Sequence, residues 1–105
     1  MGSGLTITPF VSVNNNVFTL PHDQLVTIIW SGVFPTATDR VVFYLTPPGE
    51  SSGQAMGLDT NLADGASIIW RAVNGTQGTL YAVAYFRGGY APQTSDSYYI
   101  IAGSP

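Results

Sequence analysis

An all-β sandwich is what this sequence predicts, on three observations. Short runs rich in β-branched and aromatic residues alternate inward and outward positions with the two-residue period of a strand. Clusters of Gly, Pro, Asn, Asp and Ser punctuate them at short intervals. No stretch repeats its apolar residues at helical spacing. One such pattern over 105 residues reads as a single domain spanning 1–105, and a chain of this length buries roughly 65% of its unfolded surface on folding.

Three segments organise the rest: Leu25–Gly32 (LVTIIWSG), Asp39–Pro47 (DRVVFYLTP) and Thr79–Arg87 (TLYAVAYFR). After a short tail over residues 1–4, Leu5–Val13 (LTITPFVSV) alternates as a strand with Pro9 inside it. Proline gives no N–H to a ladder, so this is an edge strand that bends or changes sheet at Pro9. Asn14, Asn15 and Asn16 form a turn, because asparagine tolerates left-handed backbone. Val17–Leu20 is a short strand, and Pro21-His22-Asp23-Gln24 turns the chain again.

In the next strand Val26, Ile28 and Trp30 share one face and Leu25, Thr27 and Ile29 the other. The set holding the tryptophan points to the core. Val33–Asp39 is a loop around Pro35, and the strand after it alternates Val41, Phe43 and Leu45 with Arg40, Val42 and Tyr44. Arginine marks the outer set. Residues 47–66 are rich in glycine and small polar residues and read as a long flexible loop, with a short edge piece near Ala55–Leu58. Ser67–Val73 is a strand, Asn74–Gly78 (NGTQG) an Asn-Gly turn, Thr79–Arg87 a strand, and Gln93–Ala102 the closing strand after a turn at Gly88-Gly89. That makes about seven strands, the number of an antiparallel two-sheet sandwich.

VTIIWSGVFPTATDRVVFY resembles the strand, loop and strand of bacterial and phage immunoglobulin-like, or fibronectin-III-like, modules, in which Trp-Ser-Gly and a Pro-Thr loop precede an Asp-Trp-Ile-Gly-Leu-Tyr strand. GTLYAVAYFRGGYAPQTSDSYYI is similar to the last hairpin of the same modules. The resemblance runs from about Leu5 to Ile101 and is carried by Trp30, Ser31, Gly32, Asp39, Tyr44, Gly78, Gly89 and Tyr90. Arg40 and Val42 stand where the family has tryptophan and glycine, and Tyr81 and Val83 where it has polar residues. It implies an immunoglobulin-like/fibronectin-III-like antiparallel sandwich and a non-catalytic appendage of enzymes, adhesins or phage particles.

With Leu80, Ala82 and Ala84 inward, Tyr81, Val83 and Tyr85 face outward beside Arg40, Val42 and Tyr44, joined by Tyr99 or Tyr98 from the last strand, of which Tyr99 completes the set of seven. An ordinary solvated sheet is polar on its outer side. This outer face is apolar and rich in tyrosine, a residue enriched in protein interfaces, and the chain is only 9% charged. These seven residues are therefore the expected interface to a protein partner: a second copy, or the lattice of a larger particle.

The remaining chemistry is sparse. There are three arginines, no lysine and six acidic residues, so neither a nucleic-acid backbone nor an anionic membrane is expected as a partner. Without cysteine there is no disulfide framework, thiolate zinc site or cysteine nucleophile. His22 lies in a turn with no nucleophile-elbow motif in the chain, and no strand-to-helix glycine loop would cradle a phosphate. No catalytic residue, cofactor or resident metal is expected. Asp59, Asn61 and Asp64 gather oxygens in one loop without EF-hand spacing. Trp70 and Tyr90, with Tyr44 and Tyr85, are candidates for stacking on a sugar. Asn74-Gly75-Thr76 fits a glycosylation acceptor but is explained by turn chemistry. MGSGLTITPF has neither a basic segment nor a long apolar run, so no signal peptide is expected in the sequence as written. The expected setting is a virion, as an accessory decoration-type subunit, or an extracellular surface, with a carbohydrate-binding or adhesive domain as the alternative.

Overall fold

A computed structural model describes residues 4–32 and 34–103, so Val33 and most of the expected tail at 1–4 lie outside the described residues. Ten strands run β1 (Leu5–Thr8), β2 (Ser12–Asn14), β3 (Val17–Leu20), β4 (Gln24–Ser31), β5 (Thr38–Thr46), β6 (Gln54–Asp59), β7 (Gly65–Ala72), β8 (Gln77–Phe86), β9 (Gln93–Thr94) and β10 (Tyr98–Ala102). They form two facing sheets, the smaller ordered β1-β4-β7 and the larger β2-β3-β10-β8-β5-β6, with β9 added beside β8. All pairings are antiparallel except β3 with β10.

The count exceeds seven for local reasons. The run from Leu5 to Val13 divides at Pro9, sending β1 into the smaller sheet and β2 into the larger, the change of sheet its proline suggests. Asn15 and Asn16 take φ of 50° and 63°, the left-handed pair that a two-residue hairpin turn between β2 and β3 requires. The closing strand breaks between β9 and β10, where Ser95 is buried and bonds Ala82 twice. Its N–H donates to the Ala82 carbonyl at 2.8 Å, and its Oγ accepts from the Ala82 N–H at 2.8 Å.

Residues 47–66 are not one long loop. Their middle is the six-residue edge strand β6, longer than the edge piece at Ala55–Leu58, paired with β5 from Val41↔Asp59 to Leu45↔Gln54. Its weak strand propensity is overridden by partnership. Gly57 lets β6 approach the smaller sheet, since a Cβ there would lie 2.9 Å from Ile68 Cγ2. Between the sheets Val26, Ile28, Val41, Phe43, Leu80, Ala82, Ala84 and Ile100 are fully buried and Trp30 is 2% exposed. Trp30 meets Phe34 edge-to-face at 5.3 Å, closing one end of the core.

Candidate functional site: a roofed tyrosine face

Register decides the composition of the outer side of the larger sheet. β5 and β8 pair Arg40↔Tyr85, Val42↔Val83 and Tyr44↔Tyr81; the last four sit between buried neighbours, and Arg40 and Tyr85 adjoin buried Val41 and Ala84. Tyr44 and Tyr85 therefore flank the Val42–Val83 row from either side. Their hydroxyls meet at 2.7 Å, and the Tyr81 ring stacks on Tyr44 at 5.4 Å with 22° between planes. The rings form a roof over the valines, which are each 9% exposed. Val42 and Val83 are thus the floor of the site, and the tyrosines its surface.

Arg40 completes the group. Its guanidinium lies 4.5 Å from the centre of the Tyr85 ring while Nη1 donates to Asp39 Oδ2 at 2.8 Å. Burial, then the hydrogen bond it shares with Tyr85, pushes the Tyr44 phenol up to about 12. Gly53 marks the rim, because a Cβ there would fall 2.6 Å from the Tyr81 hydroxyl. The result is a set of half-buried aromatic rings held in place by their own contacts, presenting flat apolar area and hydroxyls together. Tyr99 shares the face, in the row of Val17 and Thr79, but among the described residues it has no ring contact with the stacked group.

The other candidates are dispersed. Trp70 pairs with Val26 and packs against the core, as a sandwich tryptophan does, and does not join the sugar-stacking set. Tyr90, 70% exposed, overhangs an open groove of about 390 Å³ with Pro35, Ala37, Phe86, Ala91 and Gln93. There Arg87 ties the two loops together, its N–H donating to the Ala37 carbonyl at 2.8 Å and its guanidinium to the Thr36 carbonyl. Asp59, Asn61 and Asp64 do line one cleft, of about 520 Å³. The Asp59 carboxylate is already engaged, however: Oδ1 accepts from the Asn61 N–H at 2.9 Å and Oδ2 from the Ser67 N–H at 2.8 Å. Among the described residues no group of three or more His, Cys, Asp or Glu side chains is placed to hold a metal.

His22 lies exposed with Nδ1 3.4 Å from Asp23 Oδ2. The Asn74 N–H donating to Oδ1 at 3.0 Å, and secondarily His22, hold the Asp23 carboxyl below its usual range. No helix among the described residues is long and apolar enough to cross a membrane.

One feature was not expected from the sequence. Phe10, in the bend between β1 and β2, Phe18 on β3 and Tyr98 on β10 form an edge-to-face ladder at 5.6 and 5.7 Å. Its signal is weak because Phe10 follows the sheet change at Pro9, where alternation resets. Leu25 and Ile69, 60% and 69% exposed, lie on the outer side of the smaller sheet, and parity alone places both there. No family model matches the chain, and neither does any curated protein.

Proposed function

We propose that the chain is a non-catalytic interaction module that binds a protein partner through its tyrosine face. The observation that carries this is the roof itself, in which Tyr44, Tyr81 and Tyr85 are fixed by mutual contacts before any partner arrives. Aromatic side chains already held in one rotamer lose little freedom on binding, which is why rigid tyrosines and arginines dominate interface hot spots. Arg40 beside Tyr85 fits the same composition. The setting we favour is an accessory, decoration-type subunit on a larger particle such as a phage virion. The resemblance to bacterial and phage immunoglobulin-like modules supports that setting, as does a lysine-free, weakly charged composition suited to a protein lattice.

A second reading, a carbohydrate-binding or adhesive domain, is favoured by one observation: the exposed Tyr90 ring over its groove. Light scattering over a range of concentrations separates the two. A protein-binding module whose partner is its own kind associates, Tyr81→Glu abolishes that association with the fold retained, and a glycan array stays blank. A strictly monomeric chain that binds glycans and loses them on Tyr90→Ala would establish the second reading instead.

A further inference from the structure

We infer that the free edge of β7 is a surface for pairing with a second copy of this chain, and that Asp59 keeps it closed. Among the sheet edges the described residues form, β7 is the one least defended. β1 has four residues and runs into Pro9, β2 has three, and β6 carries a register shift where Phe43 gives way to Tyr44. β7 has eight residues, no proline, one charge in Arg71, and an unbroken register with β4. The chain has no lysine, the residue most used to guard such edges.

The hydrogen-bond pattern on this edge is specific. In an antiparallel pair every second residue turns its N–H and C=O away from the partner. The Ser67 N–H reaches Asp59 rather than β4, so Ser67, Ile69 and Arg71 are the residues facing outward. Val73 donates to the Arg71 carbonyl at 3.0 Å. Left over, among the described residues, are the Ser67 carbonyl, both groups of Ile69 and the Arg71 N–H.

That set is its own complement. A two-fold axis through Ile69 places the strand antiparallel to its copy. The two Ile69 residues then exchange N–H···O=C bonds, and each Arg71 N–H donates to the Ser67 carbonyl opposite. The exposed Ile69 side chains meet on the outer face. A second β7 so placed satisfies every leftover group.

One obstacle remains. In such a ladder the Ser67 N–H would donate to the Arg71 carbonyl of the copy, and the Asp59 carboxylate stands at that place, 2.8 Å from Ser67 N. An arriving strand would set a carbonyl against a carboxylate and strip it of water, which is strongly unfavourable. Asp59 reaches the edge from the other sheet because Gly57 lets β6 lie close to Ile68. A carboxylate pointing into the edge thereby does the work that lysine does elsewhere.

Sedimentation velocity on Asp59→Ala, made in the Tyr81→Glu background to silence the tyrosine face, tests the inference. The expected result is a doubling of mass relative to Tyr81→Glu alone, reversed by adding Ile69→Lys. Unchanged mass in a folded Asp59→Ala chain would overturn it, as would a doubling that survives Ile69→Lys. Asp59→Ser keeps a short acceptor for the Asn61 N–H but cannot reach Ser67, and should dimerise equally. Loss of fold in both variants would make Asp59 a structural staple and refute the guard role.

Discussion

The hydroxyls of Tyr44 and Tyr85 meet at 2.7 Å although the two residues sit in different rows of the sheet, on either side of the Val42–Val83 pair. That contact turns two adjacent strands into a covered surface. It makes the face at once apolar underneath and hydroxylated on top.

Tyr85→Phe removes one half of the contact. The expected cost is about 1 kcal/mol, the ordinary net value of such a bond, together with a lower Tyr44 pKa that stays above 10.0 because burial, its leading cause, persists. The parent has a definite alkaline limit. The Tyr44 phenol is raised in the folded chain to about 12 from 10.0, so its contribution is fully present below pH 10.0 and is lost as pH rises through about 12. Phenolate absorbance during a base titration, followed in parallel with circular dichroism, checks both.

Ser95→Ala should weaken the fold more than an ordinary loop substitution. It leaves the buried Ala82 N–H without the Ser95 hydroxyl as acceptor, a loss of about 1–3 kcal/mol. Chemical denaturation of the variant measures it, and an unchanged midpoint would show that Ala82 finds another acceptor.

Association through the tyrosine face should depend little on salt. The surface is built from rings and hydroxyls, and Arg40 is already paired with Asp39 at 2.8 Å. Light scattering from about 0.1 M to about 1 M salt, where the screening length falls from about 10 Å to about 3 Å, should leave the apparent mass unchanged. A steep loss of mass would point to ion pairing instead.

Much of this was legible in the sequence because strand parity is a strict code. Arg40 and Trp30 each fixed the facing of a whole strand, and the buried positions of Val26, Ile28, Val41, Phe43 and Leu45 follow from them. The sheet change at Pro9 and the turn at Asn15-Asn16 were legible through backbone chemistry alone. β6 was harder to read, since Gln54, Ala55, Gly57 and Asp59 favour strand only when a neighbour supplies the ladder. The outward facing of Val42 and Val83 was readable, but their burial was not. It depends on ring rotamers reaching across a row, which alternation does not encode. The engagement of Asp59 with Ser67 joins two sheets, and no local spacing signals it.

The most direct measurement is a tyrosine-labelling footprint of the parent chain, dilute and concentrated, read residue by residue. Protection of Tyr44, Tyr81 and Tyr85 on concentration, with Tyr90 labelled equally in both, is the expected result. Labelling that stays the same at all three, or protection that appears at Tyr90 alone, would contradict the tyrosine face as the surface on which the chain binds a second copy of itself.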